Sequence, residues 1–361
     1  MRAAVMWEVG RPLTVEDVDI AEPMAHEVLV QVAASGLCHS DLRFIEGAFP
    51  HPMPTILGHE VAGVVTSVGE GVVGLAPGDH VVMSISVFCG DCQLCRAGKP
   101  HLCVHKGATR RGRDDPPRLS MAGNPVAQFL DISGFAEQLL VHENAVVKVD
   151  ADIPFDHAAL LGCGVATGLG AALNTAKVQP GDRVAVIGCG GVGLSAVQGA
   201  RIAGARQVIA IDPVPEKRAL ALALGATDVV DATSPDLVEQ VASLADGLGV
   251  DHVIEAVGGV ETVEAGFLMT RPGGTITVVG LVPGGSKVSI PTDELLYERR
   301  LQGSVMGSND FKVDVPRYIG LYRDGILKLG DMVAERITLD QVNDGFASMA
   351  TGRSPRIIIE F

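Results

Sequence analysis

Val28, Val30 and Val32 alternate with other residues, and the same period of two runs through parts of Val61–Val68 and His80–Ile85. This alternation predicts strands with one buried face. Gly and Pro punctuate the runs at Gly69–Gly74 and Pro77-Gly78, so residues 1 to about 162 read as mostly β structure. From Gly164 to about Val305 the pattern changes. Short continuous apolar runs, Val184–Ile187 and Val208–Ile211, have the length of buried parallel strands. Helical spacing follows in Glu216–Leu224 and Glu261–Met269, with further strands expected at Val250–Val257 and Gly274–Val279. Strand alternating with helix predicts an α/β doubly wound parallel sheet. Beyond Met306, helical stretches near Val315–Leu329 and Leu339–Ala350 precede a closing strand, Arg356–Phe361, expected to return to the first domain. The expected division is residues 1–164 with 306–361 for the β-rich domain, and 165–305 for the inserted one.

Between the first two apolar runs of the inserted domain lies Gly188-Cys189-Gly190-Gly191-Val192-Gly193, in the pattern G-x-G-x-x-G. Gly188 permits a tight turn, Gly190 lets backbone approach a pyrophosphate, and Gly193 allows close packing of helix on strand. The helix N-terminus then offers N–H groups and a positive dipole end to phosphate. Asp212 lies 19 residues after Gly193, at the end of the second strand. A carboxylate there can accept bonds from both hydroxyls of an adenosine ribose and would repel a 2′-phosphate, which favours NAD over NADP. The same glycines in an ordinary βαβ turn would not need that acid.

At 361 residues the chain can hold two domains, each with its own core. Its formal charge of −15 argues against a nucleic-acid partner or an anionic membrane surface. Met1–Gly10 lacks an apolar core, so no signal peptide is expected. Val184–Ala200 is apolar enough to mimic a membrane span, but its five glycines fit a strand–turn–helix.

Seven cysteines, an odd number, are spaced for metal sites more than for disulfides, which points to a reducing cytoplasm. Cys89, Cys92, Cys95 and Cys103 form C-x₂-C-x₂-C-x₇-C and can close a tetrahedral structural zinc site within one lobe. An iron–sulfur cluster is disfavoured by the final gap of seven and by the lack of a following Cys-Pro. A nucleic-acid-binding zinc ribbon is disfavoured by the acidic charge. Cys38 and His59, 21 residues apart, join Cys163 as candidates for a second zinc. Two thiolates and an imidazole leave a fourth position open, as a catalytic zinc requires. Buried core cysteines and a satisfied histidine are the competing reading of each residue alone. Cys189 reads as structurally neutral.

Together GLCHSD, GHE, the four-cysteine lobe, GCGVATGLG, GCGGVG and the tail around Arg356 resemble the zinc-containing medium-chain alcohol dehydrogenases, nearly end to end. The resemblance implies a GroES-like β-rich catalytic domain with an inserted Rossmann domain, and hydride transfer between an alcohol and NAD. It implies catalytic zinc on Cys38, His59 and Cys163, with Glu60 behind it and Asp41 orienting the histidine. It assigns Ser40 to the substrate hydroxyl proton and Thr167 to the nicotinamide. The glycine turn, including Gly191 and Val192, and Asp212 with Lys217 would hold the dinucleotide, and His39 and Arg356 would reach its pyrophosphate.

Many members place a histidine five residues after the first zinc-ligating cysteine, where this chain has Arg43, so the proton is expected to leave from Ser40 and the ribose to water or another group. His51, between two prolines, is the other histidine nearby in sequence and reads as solvent-facing. The 31 residues between Cys103 and Phe135 resemble the longer connection of dimeric classes, so a homodimer is expected, with a homotetramer the alternative. Ile85 and Leu281 suggest a roomy apolar pocket for larger primary or benzylic alcohols. The competing enzyme reading is a glutathione-dependent formaldehyde dehydrogenase, for which Arg110, Arg111 and Arg113 would supply cations to a glutathione carboxylate. A non-catalytic NAD-binding protein is disfavoured because both sets of zinc ligands are intact.

Overall fold

A computed structural model of the chain describes residues 1–352 and 356–361. The chain divides into two compact units: Met1–Cys163 with Asp310–Gly325 and Leu329–Phe361, and Gly164–Asn309 with Ile326–Lys328.

The first unit is built on β1 (Glu27–Gly36), where Val28, Val30 and Val32 are buried while Gln31 faces solvent. A short helix, α1 (His39–Ile45), follows directly. β2 (Glu60–Val68) pairs antiparallel with β1, and β3 (His80–Met83) with β2. β4 (Gln138–His142) also pairs with β1, and β5 (Val146–Lys148) closes on β3. The inward valines of β1 meet Val61, Val65, Val81, Leu139 and Val141 in one core. Burying each such side chain is worth about 1.5–3 kcal/mol, which is why the period of two is so clear in the sequence.

The second unit opens with α2 (Gly164–Gly170) and then alternates strand and helix. β6 (Arg183–Ile187), α3 (Gly191–Ile202), β7 (Gln207–Asp212), α4 (Pro215–Ala223) and β8 (Asp228–Asp231) form its first half. β9 (Val250–Glu255), α5 (Val260–Met269), β10 (Thr270–Val278) and β11 (Arg300–Gly303) form the second. All six strands are parallel, in the order β8-β7-β6-β9-β10-β11. The order reverses between β6 and β9, the doubly wound arrangement. The unit runs on to Asn309, whose side-chain amide donates to the carbonyls of Ala166 and Met306.

The chain then re-enters the first unit. β12 (Glu335–Ile337) and β13 (Ile357–Glu360) pair with each other, and β13 pairs antiparallel with β1 at Ala34–Gly36. The helix expected at Val315–Leu329 is instead Phe311–Arg323, followed by a turn at Gly325 (φ 69°). Leu327 and Leu329 are buried without being helical, and their apolar character had extended the apparent period.

Candidate functional site

Asp41 organises the first site. It is the third residue of α1 and fully buried. One carboxylate oxygen accepts the Cys38 N–H at 3.1 Å. The other accepts the Gly58 N–H at 3.1 Å and pairs with His59 Nδ1 at 3.0 Å. A single side chain thus joins the start of α1 to the turn before β2 and fixes the imidazole so that Nε2 is left for a metal. That turn needs glycine at 58: φ is +88°, and a Cβ would come within 2.6 Å of the Phe135 backbone.

Donor atoms of Cys38, His59, Glu60 and Cys163 lie within 4.8 Å of one another, all buried. Two thiols and an imidazole fit zinc. A hydrogen bond with Cys163 holds the Cys38 thiol well below its ordinary range, while the same bond pushes Cys163 well above. Such a set is satisfied by a cation that takes both sulfurs as thiolates. Burial raises the Glu60 carboxyl to about 7, against the pull of Arg356. The fully buried Arg356 guanidinium stands 3.1 Å from Glu60, so the structure places this residue on the carboxylate behind the metal donors. Ser40 is half-buried, its Oγ 3.7 Å from Cys38 Sγ, and His39 is exposed at the start of α1.

An aromatic cluster adjoins these ligands. The Phe129 ring lies 5.9 Å from that of His59, and Phe44 packs on Phe129 at 4.7 Å and on Phe49 at 5.3 Å. His51, expected to face solvent, is half-buried edge-on to Phe44 and Phe129, at 5.9 and 5.5 Å. Burial, reinforced by the charge of Arg110, lowers its pKa.

Cys89, Cys92, Cys95 and Cys103 converge in one lobe, all free thiols. The Cys92–Cys95 sulfurs are 3.5 Å apart, and the Cys89–Cys95 and Cys92–Cys103 pairs 4.0 Å. A tetrahedron with Zn–S bonds of about 2.3 Å has edges of about 3.8 Å, so the cage matches zinc. Backbone N–H groups of Cys92 and Cys89 donate to the sulfurs of Cys89 and Cys103, each at 3.3 Å. Hydrogen bonds led by the Cys95 N–H lower Cys92 to about 6, and burial raises Cys95 to about 12.

In the second unit the glycine turn joins β6 to α3, with Gly188 at φ +92°. A Cβ on Gly193 would stand 1.7 Å from the Gly188 carbonyl oxygen, whereas one on Gly190 would meet nothing within 4 Å. The first contact forces glycine, and the second leaves space beside the backbone for a ligand. Gly191 and Val192 form the first turn of α3. Asp212 accepts the Cys189 N–H at 2.8 Å and the Val214 N–H at 2.9 Å, which fixes its carboxylate at the end of β7. Lys217 is buried in the first turn of α4. Thr167 lies on α2 with its hydroxyl 3.5 Å from the Met306 sulfur.

The arginines after Cys103 are engaged. Arg111 and Arg118 both pair with the buried Glu27, at 2.6 and 2.7 Å. Arg111 also donates to the carbonyls of Glu22 and Pro116, and Arg110 forms a two-pronged pair with Asp131. Arg113, the third expected cation, is exposed and forms no ion pair among the described residues. Sequence reasoning missed Glu27 as their anchor, because nothing local marks which acid will meet them.

Among the described residues no helix is long and apolar enough to cross a membrane. Residues 24–151 match the family described as alcohol dehydrogenase GroES-like domain, and residues 191–319 the family described as zinc-binding dehydrogenase. The chain is 39% identical to an S-(hydroxymethyl)glutathione dehydrogenase of Synechocystis sp., over 100% of this chain and 99% of that one. Among solved structures it resembles an alcohol dehydrogenase zinc-binding domain protein from Burkholderia ambifaria (36% identity, TM-score 0.95, covering 100% and 98% of the two chains). It also resembles benzyl alcohol dehydrogenase from Acinetobacter calcoaceticus (33% identity, TM-score 0.94, 100% and 99% covered).

Proposed function

The chain belongs to the zinc-containing alcohol dehydrogenase family, an NAD- and zinc-dependent oxidoreductase, and from that premise we propose that it oxidises larger primary alcohols, benzylic ones foremost, to aldehydes. The observation that carries this reading is the half-buried pair of rings Phe44 and Phe49, which packs on the core residue Phe129 beside the zinc ligand His59. Aromatic rings favour an apolar, ring-bearing substrate through offset and edge-on contacts. The likeness to a benzyl alcohol dehydrogenase supports it.

Zinc held by Cys38, His59 and Cys163 would supply a Lewis acid that lowers the pKa of the substrate hydroxyl, and bound NAD would supply the hydride acceptor. The chain's residues do the rest. Asp41 holds the imidazole, and Arg356 balances the charge of Glu60. Ser40 Oγ, beside Cys38, takes the hydrogen bond of the substrate hydroxyl and passes its proton toward solvent. On the dinucleotide, the glycine turn takes the pyrophosphate, Asp212 with Lys217 the adenosine ribose, and Thr167 the nicotinamide side, while the exposed His39 remains a candidate for the pyrophosphate and Arg356 is committed to Glu60.

The second reading is oxidation of S-(hydroxymethyl)glutathione, favoured by the name of the Synechocystis relative. The engagement of Arg110 and Arg111 with Asp131 and Glu27 weighs against it, since a peptide carboxylate would have to compete with those pairs. The test is NADH formation from NAD⁺ with ethanol, hexanol, benzyl alcohol and a formaldehyde–glutathione mixture. A kcat/KM highest for benzyl alcohol and abolished by a zinc chelator supports the first reading; turnover only of the glutathione adduct establishes the second.

The free cysteines favour a reducing cytoplasm. A homodimer is supported by the edge position of β11, with Leu301 exposed on it, and by the exposed Leu296 and Tyr297 just before it. Light scattering on the eluted protein measures the mass directly: two chains support the proposal, one or four reject it.

A further inference from the structure

In open α/β sheets, ligands lie outside the carboxyl ends of the strands where the strand order reverses. Here that point lies between β6 and β9. β6 ends at the glycine turn; β9 ends at Glu255, whose register partner on β6 is Ile187, the residue before Gly188. Glu255 is 0% exposed. One oxygen of its carboxylate accepts three hydrogen bonds, from the N–H groups of Val257 (2.9 Å) and Gly258 (2.8 Å) and from the Thr262 hydroxyl (2.8 Å). Its backbone carbonyl accepts two more, from the N–H groups of Val279 (2.8 Å) and Gly280 (3.0 Å).

One residue thereby fastens the turn after β9 to the turn after β10. The two turns touch backbone to backbone. A Cβ on Gly258 would come within 2.6 Å of the Leu281 carbonyl oxygen, and one on Gly280 within 2.1 Å of the Gly258 nitrogen. The turns before α3 and α5 each lend an N–H to a carboxylate, Cys189 to Asp212 and Val257 to Glu255, but they differ in the space beside them. At α3 the entrance beside Gly190 is open, as a pyrophosphate requires. Before α5, N–H groups of the corresponding turn are already taken by the chain's own carboxylate.

We propose that Glu255 is a positioning residue for the nicotinamide half of NAD, acting through the 256–259 turn and the Gly280–Leu281 turn it supports. Asp212 at the end of β7 places the adenosine half on one side of the glycine turn. The other half of the dinucleotide then extends over β9 and β10.

The test uses the zinc-loaded full chain and two ligands, NADH and ADP-ribose, with dissociation constants from fluorescence and calorimetry. Tight NADH binding by the wild type is the control for the cofactor assignment itself. Glu255→Ala should raise the NADH Kd about tenfold and leave ADP-ribose within about twofold, because the adenosine contacts are untouched. Glu255→Gln keeps an acceptor oxygen for the three donors and should limit the rise to about threefold. Equal weakening of both ligands overturns the proposal, as does a lower Tm with an unchanged NADH Kd. If Glu255→Ala does not fold, Glu255→Gln decides: a rise confined to NADH supports positioning, and no rise overturns it.

Discussion

Replacing Glu27 by Gln should destabilise the first unit severely, although the residue lies far in sequence from its partners. Its carboxylate is 3% exposed and receives Arg111 and Arg118, themselves 8% and 6% exposed, together with the Met24 N–H at 2.9 Å. Arg118 continues the network to the Thr109 carbonyl at 2.8 Å and to Gln128 at 3.1 Å. The amide would leave two buried guanidinium groups facing one neutral acceptor. Removing one partner of a buried ion pair costs about 3–5 kcal/mol, mostly from the charge left uncompensated. For a unit of this size that is a fall in Tm of roughly 10 °C. Calorimetry and denaturant unfolding at pH 7 measure it. The pH dependence is a second readout. Burial pushes the Glu27 carboxyl up, but the bonds from Arg111, the Met24 N–H and Arg118 outweigh it and hold the pKa below its ordinary value. A depressed folded-state pKa gives stability that is complete above the unfolded value, about 4.3, and is lost as pH falls through the folded one. The gap between wild type and Glu27→Gln should therefore narrow below about pH 4. A loss under about 1 kcal/mol at pH 7, or a gap that widens in acid, refutes the reasoning.

Asp41→Asn should weaken zinc at the catalytic site about 10–100-fold, because the amide NH₂ must oppose either the Cys38 N–H or the Gly58 N–H and His59 pair; chelator competition measures this. Asp212→Ser should raise the KM for NAD about 10–100-fold and shift the NADP/NAD ratio of kcat/KM toward NADP, and an unchanged ratio would count against the ribose assignment. Cys92→Ser should lower total zinc from about two to about one per chain, read by metal analysis, with a lower unfolding temperature for the first unit.

The sequence made the local features legible. The β1 valines, the C-x₂-C-x₂-C lobe and the glycine turn with Asp212 each announce themselves within a few residues, because pleat, metal cage and helix entrance impose fixed short spacings. What stayed hidden is what distance in sequence conceals. Arg111 and Arg118 meet Glu27 across 84 and 91 residues, and Arg356 meets Glu60 from the opposite end of the chain. Burial then selects the pairs, and no periodicity records it. Of the three arginines in the basic run after Cys103, Arg110 and Arg111 are held by Asp131 and Glu27, an engagement that no local feature of the sequence marks. His51 misled for a related reason: proline neighbours signal a loop, but not which face of the loop packs.

The position of β13 has a bearing on how the protein is made. This strand lies between β1 and the edge strand β12, yet it is synthesised after the whole of the second unit. A ribosome that has released Met1–Cys163 has released every zinc ligand, but Arg356 is still to come. Until it arrives, Glu60 lacks the guanidinium that stands 3.1 Å from it in the finished chain. The metal pocket of the first unit thus reaches its final electrostatic state only when the chain has been read to the far side of the insertion, so synthesis halted partway leaves a recognisably incomplete protein.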